Sequence, residues 1–302
     1  MKNRFAFTML ELVFVIVIMG IISKFGVEFL SQAYNSFIYA KINNKLQANS
    51  GMAVESIAAK LQFRIKDSVI GRVENNNSFK SLGSASGDDY NILEWVGSDI
   101  DGFRGDSLPM WSGIIDLDES NKTTLISPET NTTALNNLIK ILSHDSGTDV
   151  NDSAIYFIGS DSNIHQYGWT DGNHPLTDHN SSVMHPIKLV SGHIDQFESN
   201  ISSGNDFIDT DIYEYYQLAW TAYAVALENY DNNDSTGNLY LYYDYQPWHG
   251  EDFNDTTSKK ALIMENVSTF RFKAVGSVVK IQVCVKSTLL EDYSLCKEKT
   301  IF

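Results

Sequence analysis

An apolar run from Phe7 to Ile22 is broken by one carboxylate, Glu11, and is preceded by the basic residues Lys2 and Arg4. Such a run reads as a membrane-crossing helix, because about 20 residues at 1.5 Å each span the hydrocarbon of a bilayer. The basic residues ahead of it place the N-terminus on the cytoplasmic side by the positive-inside rule. Holding Glu11 in hydrocarbon costs roughly 2.5–3.5 kcal/mol, so the group needs a partner or a task. A secretory signal peptide also sets basic residues before an apolar run, but does not normally carry a carboxylate inside it. An uncleaved signal anchor with an incidental glutamate is the alternative.

Beyond the run the spacing stays helical. Leu30, Tyr34, Phe37 or Ile38, Ile42 and Leu46, then Ala53, Ile57, Leu61, Ile65 and Val69, recur at three- and four-residue intervals with no proline among them. The pattern predicts a helix from about Thr8 to about Ile70, with Gly51 as a candidate bend and Gly71 as the stop. From Arg72 onward short apolar runs alternate with Asn, Asp, Ser and Gly. Residues 155–158, 187–190, 218–227, 239–245, 267–272 and 278–285 read as strands. In the last of these Val279, Ile281, Val283 and Val285 alternate with polar residues, which predicts a sheet with one wet face. Gly276-Ser277 reads as the hairpin turn before it, and 98–106 and 200–211 as surface loops. The expected fold class is α+β: a long N-terminal helix, membrane-spanning in its first half, packed on an antiparallel β-sheet head with long loops. The segments are 1–6, a leader; 7–29, the membrane or filament-core helix; 30–70, the amphipathic half of the same helix; and 71–302, the head.

The segment Ala6-Phe7-Thr8-Met9-Leu10-Glu11-Leu12 resembles the prepilin cleavage and methylation motif, usually Gly-Phe-Thr-Leu-Ile-Glu-Leu. The resemblance implies cleavage between Ala6 and Phe7, N-methylation of Phe7, and Glu11 as an assembly residue that neutralises the terminal ammonium of a neighbouring subunit in an apolar filament core. Ala6 departs from the commoner Gly. Glu265 to Phe272 with the following Gly hairpin is similar to the last strands of J-type minor pseudopilins of type II secretion, and Ala53 to Ile70 resembles the distal part of their helix. The implied partners are a prepilin peptidase, other pilin-like subunits, an inner-membrane assembly platform and membrane lipids. The implied location is the inner membrane, single-pass, with the head in the periplasm. A minor pseudopilin that starts or tips a filament for type II secretion or DNA uptake is the expected function. A type IV pilus minor pilin with an adhesive head is the alternative.

Cys284 and Cys296 are the only cysteines, and an oxidising compartment permits one disulfide between them; the other reading is two free thiols. Nine Asn-x-Ser/Thr sequons occur, and eight of them, at Asn76, Asn121, Asn131, Asn151, Asn180, Asn200, Asn233 and Asn254, carry Asp or Glu two residues earlier. Chance places an acid there at roughly one site in nine, so the pattern resembles the acceptor sequence of bacterial N-oligosaccharyltransferases. The bland reading is an acidic, loop-rich chain that accumulates Asx and Ser/Thr together.

His165, His174, His179 and His185 fit no closed zinc spacing and read as solvated loop residues. Asp231-Asn232-Asn233-Asp234-Ser235 offers oxygens suited to calcium but lacks the EF-hand spacing and its bidentate Glu, so no cofactor is expected and calcium stays a lesser alternative. The aromatic run from Leu241 to Trp248 reads as packing before a binding ledge. No nucleophile elbow, P-loop, HExxH or dinucleotide turn is present, which points away from an enzyme. With a formal charge of −16 the chain lacks the basic excess that direct nucleic-acid binding needs.

Overall fold

The computed structural model describes residues 8–74, 78–85, 89–160, 163–169, 175–201, 206–290 and 293–302. Its first element, α1 (Met9–Leu61), opens on a reciprocal cap: the Glu11 amide donates to the Thr8 hydroxyl, and the Thr8 amide donates to the Glu11 carboxylate. At 1.5 Å per residue α1 is about 80 Å long. Gly51 lies inside it without ending it.

The helix stops at Leu61, short of the Ile70 that the apolar spacing predicts. Arg64, only 5% exposed, is the physical reason. Its Nη1 donates to the Leu61 carbonyl at 3.0 Å and to the Phe302 carbonyl at 3.3 Å, and its Nη2 to the Ser277 carbonyl at 3.3 Å. The Ile65 amide then donates to the Val96 carbonyl, so the chain leaves the helix along a strand. Residues that continue the helical stripe, Val69 and Ile70, are instead taken up by a sheet, with Ile70 opening β1 (Ile70–Arg72). Tertiary pairing here outweighs local periodicity.

The other elements follow as β2 (Phe79–Ser81), β3 (Ile92–Gly97), α2 (Ile100–Arg104), β4 (Thr124–Ile126), α3 (Thr132–Leu142), β5 (Ala154–Phe157), β6 (Met184–Leu189), β7 (Gln196–Ser199), β8 (Tyr216–Ala219), β9 (Thr221–Asp231), β10 (Thr236–Tyr243), β11 (Lys259–Val275), β12 (Val278–Lys286) and β13 (Ser294–Ile301). They form an eight-stranded sheet in the order β13-β12-β11-β10-β9-β3-β1-β2 and a five-stranded sheet in the order β4-β7-β6-β5-β8. Every pairing among the described residues is antiparallel, and the fold is α+β. The run 218–227, expected as one strand, divides at Trp220: β8 joins the smaller sheet and β9 the larger. The segment 98–106, expected as a surface loop, holds α2 and its buried cap Asp99.

The second half of α1 covers one face of the large sheet, where Ile42, Leu46, Val54, Ile57 and Leu61 pack with Val279, Ile281, Val283 and Ile301. This is the alternation legible in β12. The expectation of one wet face fails at the sheet centre, however. There the other face is buried too: Ala222, Ala224 and Ala226 of β9 with Tyr242 of β10 meet Ala154, Met184, Trp169 and Trp248. Alanines let the smaller sheet approach closely, so both faces of β9 are dry. A third core joins α3 to the five-stranded sheet through Leu135, Ile139, Ile155, Phe197 and Leu218. At the β11–β12 turn Gly276 has a φ of 62°, a conformation favouring glycine, as the hairpin reading requires.

Candidate assembly surface

Two parts of α1 differ in their surroundings. Every residue from Met9 to Phe37 is exposed, and the first buried one is Ile42. The exposed stretch is about 40 Å of helix and is long and apolar enough to cross a membrane. Phe14, Ile16, Met19, Ile22, Phe25 and Phe29 are among the large side chains it leaves uncovered.

Glu11 sits in its first turn. One carboxylate oxygen, Oε2, accepts from the Thr8 amide at 3.1 Å and the Thr8 hydroxyl at 3.0 Å. The other, Oε1, has no partner among the described residues. The cap fixes its position at the helix N-terminus. Ala6, Phe7 and the rest of the leader lie outside the described residues.

At the far end of the helix the head is fastened to it. Arg64 ties the last turn to the β11–β12 hairpin and to Phe302, and Lys299 of β13 pairs with Glu55 of α1. Cys284 of β12 and Cys296 of β13 stand opposite one another in register and form a disulfide. It cross-links the two outer strands, of which β13 is an edge, close to the strands that α1 packs on.

The remaining predicted residues are scattered. Asn121, Asn131, Asn180, Asn233 and Asn254 are exposed in turns or at helix caps, Asn151 and Asn200 are half-buried, and Asn76 and His174 lie outside the described residues. Asp231–Ser235 makes the β9–β10 turn, with Asp231 Oδ1 accepting from the Asn233 amide at 2.8 Å. The aromatic run is mostly packing: Tyr242, Tyr245 and Trp248 are buried.

Two histidines correct the loop reading. His165 is exposed, but His179 and His185 are buried, with their Nδ1 atoms 3.2 Å apart and His179 Nε2 2.7 Å from the Ser199 hydroxyl. Only one proton fits between the two Nδ1 atoms, so at least one of the rings is neutral. Burial pulls His179 down to about 4, against the nearby Asp178, and burial together with His179 pulls His185 down to about 3. Around His179 the sequence gives no periodicity that announces a core, whereas His185 falls in the alternation of Val183, Ile187 and Leu189.

Sequence reading also passes over Asp99 and the Arg72–Glu94 pair. Asp99 caps α2 through the Gly102 amide and accepts from the Trp111 indole at 3.1 Å; burial pushes its carboxyl up to about 6. The Asp-x-x-Gly spacing was the available signal for a cap. Arg72 and Glu94 pair on neighbouring strands in the second core, where the Tyr245 hydroxyl donates to Glu94 at 3.2 Å. Each polar group there serves the packing of the head.

Compared with protein-family models, characterised proteins and solved structures, the chain matches none of them.

Proposed function

We propose that the chain is a pilin-like subunit, a minor pseudopilin, whose α1 is held in the inner membrane and then packed into a short periplasmic filament serving type II secretion or DNA uptake. The observation that carries this reading is α1 itself. One unbroken helix is unpartnered from Met9 to Phe37 and apolar as far as Ile22 apart from Glu11 in its first turn, and it continues into the core of a large head.

An apolar surface of that extent requires lipid or other helices around it. Both are supplied in turn if the subunit passes from bilayer to filament. Removal of a leader before Phe7 creates an ammonium at the start of the helix. Thr8 keeps Oε2 of Glu11 in place, and Oε1 accepts from the ammonium of the next subunit, so two charges that are costly in hydrocarbon neutralise each other. That pairing sets the axial register of neighbours. The Arg64 clamp and the β12–β13 disulfide then carry the position of the helix into the head.

Glu11→Ala tests the register role. The variant is expected to insert in the membrane and lose its leader as the parent does, yet to enter filaments poorly when expressed with its partner subunits. Normal incorporation and function would contradict the role.

A further inference from the structure

Eight sequons look alike in sequence, but the fold treats them differently. An N-glycosylating transferase of the acid-requiring kind must grip three groups at once: the carboxylate two residues before the asparagine, the amide itself, and the hydroxyl two residues after it. At Asn121 all three are exposed, Glu119, Asn121 and Thr123; the same holds for Glu129, Asn131 and Thr133, and for Asp231, Asn233 and Ser235. The Asn121 and Asn131 side chains use their Oδ1 atoms in local turns, the first accepting from the Thr123 amide at 2.9 Å and from the exposed Thr123 hydroxyl at 2.6 Å, the second from the Ala134 amide at 3.1 Å, and among the described residues nothing engages the Nδ2 that reacts.

At each of the other described sites the fold withholds at least one of the three groups. At Asn151 the hydroxyl residue Ser153 is buried and the asparagine Oδ1 accepts from the Leu189 amide at 2.9 Å. At Asn200 the reactive Nδ2 itself donates to the Asn151 carbonyl at 2.6 Å, and Glu198 lies 3.5 Å from Lys188. At Asn180 the Ser182 hydroxyl is buried on the Asp178 carbonyl at 2.7 Å. At Asn254 the preceding acid, Asp252, is drawn 3.7 Å from Arg72.

We infer that the folded head is N-glycosylated at Asn121, Asn131 and Asn233, and that Asn151, Asn180, Asn200 and Asn254 stay bare. In the reaction Nδ2 bonds to the anomeric carbon of a lipid-diphosphate-linked oligosaccharide, the carbon–oxygen bond to the lipid diphosphate breaks, and Nδ2 gives up one proton. The three sites lie on the turn before β4, at the start of α3 and at the tip of the β9–β10 hairpin. None lies on α1 or on β11, β12 and β13 themselves, and of the three only the Asn233 turn touches that side of the head, where the Lys286 ammonium at the end of β12 donates to the Asp234 carbonyl at 3.1 Å. The inference rests on the export proposed above, since the carboxylate-gripping transferase works on the periplasmic side.

The test is glycopeptide mass spectrometry of the full chain made in a bacterium that carries an acid-requiring oligosaccharyltransferase and its lipid-linked oligosaccharide, with the Cys284–Cys296 state read by thiol alkylation on the same sample. Expected are an oxidised pair, sugar on Asn121, Asn131 and Asn233, and unmodified Asn151, Asn180, Asn200 and Asn254. Glu119→Gln should lower occupancy at Asn121 alone by about tenfold or more, as loss of a charge-assisted contact implies. An oxidised chain bare at all three sites overturns the inference while leaving the pilin-like reading intact. Equal occupancy at Asn151 and Asn121, or unchanged occupancy in Glu119→Gln, overturns it as well. A reduced, bare chain contradicts export itself.

Discussion

The two halves of α1 share a helix but not a solvent. From Ile42 to Leu61 the apolar stripe faces a sheet and its side chains are buried, whereas nothing from Met9 to Phe37 is covered, and as far as Ile22 its apolar residues point in every direction. A helix that is apolar all round is stable only inside lipid or among other helices; one with a single apolar stripe docks on a protein. The difference locates where the molecule folds by itself and where it waits for a partner. Breaking each half in turn should therefore have opposite consequences.

The largest effect belongs to the docked half. Ile57 is fully buried, and Ile57→Ala is expected to cost the head about 2–5 kcal/mol by denaturant unfolding in detergent. Ile16→Ala, in the exposed half, should leave head stability unchanged while weakening filament incorporation. Replacing both Cys284 and Cys296 by Ser is expected to remove about 3 kcal/mol, the loop-closure contribution of a cross-link of that span. Arg64→Met should cost about 2 kcal/mol, because three carbonyls lose a charged donor, and should loosen the head from the helix end; limited proteolysis between residues 61 and 70 reads this directly.

The smallest effect is a slope with pH. The folded His179 and His185 lie at about 4 and about 3, below the usual 6.5, so between pH 6.5 and 4 the unfolded chain binds protons that the folded chain refuses. Stability then falls as pH falls, by about 1.4 kcal/mol per pH unit for each histidine. Asp99, pushed up to about 6, acts in the opposite sense: below pH 6 the folded chain takes up its proton first, which offsets one histidine's share. The melting temperature should drop between pH 6.5 and 5, and His179→Leu with His185→Leu should flatten that drop, because what then remains is His249, which burial also pulls down to about 4, set against Asp99.

The same comparison shows what sequence makes legible. Periodicity is readable where one face of an element meets one core, as in α1 up to Leu61 and in β12, where Val279, Ile281 and Val283 alternate with half-buried polar residues. It fails where an element serves two cores. Nothing in the composition of β9 reveals that its alanines admit a second sheet, and the stripe through Ile65 and Val69 reads as helix although, past a buried arginine, Ile65 enters the second core and Val69 the first. The buried histidine pair is hidden for a related reason. His179 lies among Asp, Asn and Ser, and the apolar residue that stacks on it at 4.4 Å, Phe207, lies far along the chain. Of the candidate assembly surface, the apolar helix and Glu11 were legible because membrane insertion depends on local composition; the Arg64 clamp depends on contacts with Ser277 and Phe302, which no local pattern encodes.

The central claim is that the exposed half of α1 is a processed, retained polymerising helix, and the N-terminal peptide of the membrane-bound chain tests it most directly. Mass spectrometry should find a peptide that begins at Phe7 and is heavier by one N-methyl group, on a chain that still sediments with the membrane. A peptide beginning at Met1, or a chain cut beyond the apolar run and released as a free head, would contradict the account.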